Sequence, residues 1–211
     1  MKKKDSTVNK IAKFLRKEIT YSNLKSGHHL KESEISKKFG VSRVPVREAF
    51  RILQSEGYIE VIANRGSFVK TLTYEHIMEM AVLYRLLAPV VLEKAIPNYN
   101  EKTYSRAESL LDKVEMCSDF SKVGYILWDF AKTIFGPSKL NFILGLIDDI
   151  YLHNIRTLNE LYVIKQTKSY DTTNHRKFLS FCKKKNKEKA IEVWIDQINK
   201  VKRISLKELV K

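Results

Sequence analysis

The 211-residue chain carries 39 Lys and Arg against 24 Asp and Glu, a formal net charge of +15, which points to a polyanionic partner: DNA, RNA or an anionic membrane. With 44% hydrophobic residues it can build a core, and with seven Gly and four Pro it favours long helices over a turn-rich β fold. Two cysteines, Cys117 and Cys182, at no metal-binding spacing, and no apolar run near the roughly 18–20 residues of a membrane span, exclude a disulfide framework and a transmembrane protein.

The basic start, Met1 to Asp5, is followed by no apolar stretch, so a soluble cytoplasmic protein is expected. Val8, Ile11, Phe14, Leu15 and Ile19 then recur at helical spacing and predict a first helix over 7–21. Ser26-Gly27 breaks the chain. A second helix is expected from Glu32 to Phe39, closed by Gly40, and a third from Arg43 to Glu56, closed by Gly57. Tyr58 to Ile62 and Ser67 to Val69 alternate about an Asn64-Arg65-Gly66 turn, the pattern of a short β-hairpin. Three helices and a hairpin describe a winged helix-turn-helix over 5–72, with the helix-turn-helix at about 32–51. Residues 1–72 hold 16 basic and 7 acidic residues, and 73–211 hold 23 and 17, so the charge is concentrated in that domain.

From 73 to 211 the pattern is helical: 73–95 with a kink expected at Pro89, then 100–117, 119–134, 138–163, 171–184 and 186–209. The fold class is mainly α, a winged helix-turn-helix followed by an all-α antiparallel bundle.

The stretch Gly40-Val41-Ser42-Arg43-Val44-Pro45-Val46-Arg47-Glu48-Ala49-Phe50 carries the strongest functional signal. Ser42 is placed to cap the third helix, or to donate to a DNA phosphate. Pro45 falls in the first turn, where a missing N–H is harmless. Val46, Ala49, Phe50 and Leu53 form an apolar stripe, while Arg43, Arg47 and Arg51 share the outward face. Their forked guanidinium groups suit guanine edges and phosphates, and Glu48 and Glu56 offset them only in part. Arg65-Gly66 at the hairpin tip suits the adjoining minor groove or phosphates.

The run from Leu30 to Val69, with its GVSRVPVREA core and EGYI and NRGSFV wing segments, resembles the DNA-binding domain of GntR-family bacterial transcription regulators. The resemblance implies that Arg43, Arg47 and the Arg65-Gly66 tip contact operator DNA. In some relatives an Arg of the second helix also reads the operator; Ser33 stands at that position here, with Lys31 as a substitute. The later part, through "YRLLAPVVLEKA" and "NHRKFLSFCKKKNKEKAIEVW", is similar to the helical ligand-binding domain of the FadR-like subgroup. Many members of that subgroup hold small carboxylates through a metal bound by one Asp and three His. Here Leu127 and Ala131, or Asp129 and Thr133 in the shifted frame, fall at the first two ligand positions, and Gln197 falls near the last. Only His175 matches, so no metal or other cofactor is expected.

Arg85, Tyr125, Trp128, His175 and Gln197 are the candidate effector contacts, suited to an anion with an apolar body. The alternatives are an Arg85 that bridges the domains and a His175 and Trp128 that belong to the core. The expected function is a regulator, a repressor in the leading reading. It would bind a near-palindromic double-stranded operator as a homodimer and respond to a small metabolite. A nonspecific architectural binder is the alternative. No nucleophile motif, P-loop or usable carboxylate pair supports an enzyme.

Overall fold

A computed structural model describes residues 6–165 and 170–209. The basic start at 1–5, including the expected first residue of the N-terminal domain, lies outside the described residues. The chain divides between Leu72 and Thr73 into two compact units.

In the first unit, α1 spans Thr7–Thr20. Ser6 caps it by accepting the Asn9 N–H at 3.3 Å. Ile11, Leu15 and Ile19 repeat every four residues and are fully buried. A short strand, β1 (His29–Leu30), leads into α2 (Glu32–Phe39). Gly40 ends α2 at φ 64°, a left-handed geometry that lets the Val41 N–H reach the Ser36 carbonyl at 3.0 Å. Helix α3 (Arg43–Ser55) buries Val46, Ala49, Phe50 and Leu53 and packs on α1 and α2.

The wing is β2 (Ile59–Ile62) and β3 (Gly66–Val69), antiparallel in the register Ile59↔Val69 to Ile62↔Gly66. The first strand pairs with the free edge of β3, giving the order β1-β3-β2. That third strand has two residues, too few for alternation to reveal it in the sequence. Arg16 of α1 grips Glu56 just past α3, with Nη2 2.6 Å from Oε1 and Nε 2.9 Å from Oε2. Glu56 is thereby paired with α1.

In the second unit the described helices are α4 (Tyr74–Ala95), α5 (Glu101–Glu115), α6 (Phe120–Phe135), α7 (Asn141–Lys165), α8 (Thr173–Lys183) and α9 (Lys187–Leu209). Thr73 caps α4, and an Asn100–Thr103 capping box starts α5. Pro97 and Pro137 sit in single 3₁₀ turns between helices. Pro89 lies inside α4, which continues through it as one helix. Its missing N–H deprives the Arg85 carbonyl of a helical donor, and Arg85 is on the exposed side. Helix α4 packs on α7 and α9, α5 on α6, and α8 on α9. The Trp194 ring lies at the centre, 6.1 Å from Phe130, 5.5 Å from Phe135 and 5.1 Å from Phe178. Arg176 of α8 ties this end to α5 through Asp112 (2.6 Å) and Glu115 (2.8 Å). That pairing, with Thr172, holds the Glu115 carboxyl down to about 2.

Helices α6 and α7 meet closely at Gly124. A Cβ there would stand 2.9 Å from Ile155 Cγ2, an atom fixed on a fully buried β-branched side chain. Gly124→Ala is therefore expected to destabilise the helical unit by about 1–3 kcal/mol, read as a lower urea midpoint at unchanged slope. An unchanged midpoint would show that the two helices part there without cost.

Candidate nucleic-acid interface and bundle cavity

The outward face of α3 is set by its buried one. With Val46, Ala49, Phe50 and Leu53 inward, Arg43, Arg47 and Arg51 are all exposed. The three are held differently. Arg51 pairs with Glu48 on its own helix at 2.7 Å. Arg47 donates its Nε to both carboxylate oxygens of Glu32 on α2, at 3.0 and 2.9 Å, and this hydrogen bond raises its pKa further. Using Nε leaves the two terminal nitrogens of Arg47 outside that pair. Arg43 has no partner among the described residues.

Ser42 occupies the N-cap of α3 but makes no side-chain capping bond. The reason lies three residues on. The third helical residue, which normally donates to the cap, is Pro45 and has no N–H. Of the two roles open to Ser42 in the sequence, the side-chain cap is not formed, and the exposed hydroxyl lies at the first turn, whose N–H groups lack intrahelical acceptors. Lys31 turns back to Glu34 at 3.0 Å, and Ser33 is exposed on α2.

At the wing, Asn64 takes φ 59° and Gly66 φ 104°. That φ favours glycine at 66, and a Cβ there would also stand 2.8 Å from His29 Nε2. His29 stacks on Phe68 at 4.7 Å, and the Arg65 guanidinium lies 5.8 Å from the same ring. Glu32 and His29 were not among the sequence candidates. Both contacts join residues far apart in the chain, and no local pattern encodes them.

Residues 7–69 match the family described as "Bacterial regulatory proteins, gntR family". The N-terminal unit is a GntR-family helix-turn-helix domain. Over 182 residues, 83% of this chain and 80% of the relative, the protein is 26% identical to an uncharacterised HTH-type transcriptional regulator, YdhC, of Bacillus subtilis. It is 28% identical to the gluconate operon transcriptional repressor of the same species, over 76% of this chain and 65% of that one. A crystal structure of a putative GntR transcriptional regulator from Rhodococcus superposes with a TM-score of 0.82, covering 94% of this chain and 97% of that one at 22% identity, a likeness of fold. Other curated relatives are matched over about half of their length, 53%. DNA-binding transcription regulation is thus the functional class that these matches support, and the relatives are regulators rather than enzymes. Among the described residues no helix is long and apolar enough to cross a membrane.

The helical unit of this regulator encloses a cavity of about 60 Å³ whose lining includes Tyr84, Tyr151, His175, Trp194 and Gln197. Of the sequence candidates, His175 and Gln197 line it, and Arg85, Tyr125 and Trp128 do not. Arg85 points to water because its neighbour Tyr84 takes the inward position, and successive helical residues diverge by about 100°. Trp128 turns aside to donate its indole N–H to Asp148 at 2.9 Å, with the Lys132 ammonium 3.7 Å over its ring. Tyr125 packs edge-on against Trp128 at 6.3 Å. Helix α6 instead presents Gly124 and Leu127 to the cavity.

Nor do Arg85 and His175 give the cavity the charge expected of them, although Lys202 is in its lining. Burial lowers the His175 pKa to about 4, against the opposing pull of Asp171, so the ring is neutral near pH 7. The residues do not fit a divalent metal either. Leu127 and Ala131 are buried and apolar, Thr133 donates to the Asp129 backbone carbonyl at 2.8 Å, and Asp129 pairs with Lys132 at 2.7 Å. Among the described residues no three His, Cys, Asp or Glu side chains cluster to hold an ion.

Glu32 restrains Arg47 and also places a carboxylate beside the proposed DNA face. Glu32→Ala is expected to raise affinity for random-sequence DNA. It should also reduce discrimination in favour of the operator by about tenfold, within the range of one bidentate base contact. Competition binding at fixed salt measures both, and unchanged discrimination would show that the pair does not orient Arg47.

Proposed function

We propose that the protein is a cytoplasmic, homodimeric repressor of the FadR-like kind that recognises a near-palindromic operator through α3 and the wing and senses a metabolite in the helical unit. The observation that carries this reading is the face of α3. Arg43, Arg47 and the uncapped Ser42 lie together on an exposed surface that a rigid apolar stripe holds in place. Arg47 and Arg43 take base edges of the major groove in this reading. Ser42 and the first-turn N–H groups take a phosphate, and Arg65 and Gly66 reach the adjoining minor groove. Arg51, Pro45, Lys31 and Ser33 flank these contacts.

A dimer is supported by an apolar face left exposed on the helical unit. Val82, Leu83, Leu86 and Val90 of α4 and Phe142 and Leu146 of α7 are between 42% and 83% exposed. A stripe of this kind suits a partner surface, and a second copy would supply the same stripe, as two-fold symmetry requires. Two copies would present two α3 helices to successive major grooves, about 34 Å apart. A repressor is supported by the gluconate operon relative, which is named one. An effector acts by binding one placement of the DNA-binding units more tightly than another.

The test begins with operator selection from random DNA by the full chain. Wild type is expected to bind the selected site as two chains per duplex, with affinity falling steeply as salt rises. Arg43→Ala or Arg47→Ala should each lower operator affinity by about 1–3 kcal/mol and flatten sequence preference, with circular dichroism unchanged. Retention of full preference by both variants would contradict the assignment of α3.

A further inference from the structure

The bundle cavity has unused hydrogen-bonding capacity of a particular kind. Four buried polar atoms of its lining meet no partner at hydrogen-bond geometry among the described residues: Tyr84 Oη, His175 Nδ1, Trp194 Nε1 and Gln197 Oε1. Their residues are 7%, 3%, 3% and 7% exposed, so water outside the bundle does not satisfy them. They come from α4, α8 and α9 and converge on one space. The Trp194 indole faces the Tyr84 hydroxyl without meeting hydrogen-bond geometry.

The chemistry of each atom is fixed. Trp194 Nε1 only donates. Gln197 Oε1 only accepts, while its Nε2 donates to Tyr170 Oη at 2.8 Å. The Tyr84 hydroxyl does both, and His175 Nδ1 accepts or donates according to tautomer. None of the four carries charge near neutral pH, since burial raises the Tyr84 pKa and lowers that of His175 to about 4. Ile77, Leu127 and Ile198 supply apolar wall, and the rings of Tyr84, Tyr151 and Trp194 supply faces.

A carboxylate fits this set poorly. It only accepts, so it would oppose Gln197 Oε1, and Arg85, which could have neutralised it, is on the outer surface. Among the described residues Lys202 is the one Lys or Arg in the lining. A hydroxyl both donates and accepts, matching the mixed set without a counter-charge. With roughly 10–15 Å³ needed per water, 60 Å³ suits a small ligand.

We propose that this cavity binds an uncharged, hydroxyl-rich small molecule of the polyol or sugar class, held by Tyr84, His175, Trp194 and Gln197. The proposal rests on the reading of the helical unit as the sensor, and it replaces the anionic effector that Arg85 and His175 suggest in the sequence. The competing occupant is a carboxylate anchored by Lys202.

The test uses matched pairs that differ at one carbon: erythritol against erythronate, and xylitol against xylonate. The full chain carrying Trp128→Phe has Trp194 as its sole tryptophan, so its emission reports on the cavity, and melting of the wild-type chain checks each result independently. The polyols are expected to give a saturable emission change and a raised Tm, with each aldonate at least about tenfold weaker. Gln197→Leu and His175→Phe, each first shown to melt cooperatively, should weaken polyol binding by about tenfold or more. Tighter binding of the aldonates, lost in Lys202→Met, would overturn the ligand class. Absence of a saturable response to any of the four probes would overturn the site. Saturable polyol binding that leaves operator affinity unchanged would uphold the ligand class and remove the sensor reading, so the two failures are distinguishable.

Discussion

Burial of Val46, Ala49, Phe50 and Leu53 fixes the rotation of α3, and the chemistry of the N-terminal unit follows from that rotation. A helix held by four side chains on one stripe cannot turn without exposing them, at roughly 25 cal/mol per Å² of apolar surface. Arg43, Arg47 and Arg51 are therefore displayed by packing rather than by any attraction of their own. Pro45 adds a second constraint on the same helix. It withholds the donor that Ser42 would otherwise cap, and leaves the hydroxyl and the first turn open to an anion. Glu32 then distinguishes Arg47 from its neighbours by gripping Nε alone.

The helical unit inverts this arrangement. Several of its charged groups pair on the outside, such as Arg176 with Asp112 and Glu115, Lys183 with Glu108 and Lys187 with Glu93, while Arg156 is fully buried. Its cavity is lined mainly by neutral polar atoms and rings, with Lys202 in the lining as well. A basic surface and a mainly neutral cavity lining suit two separate partners, a polyanion outside and, in the proposed reading, a small uncharged molecule within. Binding of the second would bear on the first only through its differential affinity for alternative arrangements of the chain.

The N-terminal fold was legible because its signals are local. Gly40, Ser42 and Gly57 mark helix ends, the apolar stripe of α3 has a clear period, and Asn64-Arg65-Gly66 marks the turn of the wing. What escaped was non-local: β1, whose two residues are recognisable only by pairing with β3, and Glu32, fifteen residues from Arg47. In the helical unit the elements were legible but their rotation was not. Arg85 and Tyr84 are adjacent in a nearly continuous apolar run, and periodicity alone does not say which faces inward. The sequence pattern likewise offered Trp128, whereas the tryptophan that lines the cavity is Trp194.

The central claim is that the arginines of α3 read guanine edges in two major grooves. Methylation of guanine N7 removes the acceptor such a contact needs. Methylation-interference mapping on the selected operator, with the full chain, tests this most directly. Two clusters of interfering guanines about one helical turn apart are expected, each weakened when Arg47 is replaced by Ala. Interference that is uniform along the duplex, or that is the same for wild type and variant, would contradict it.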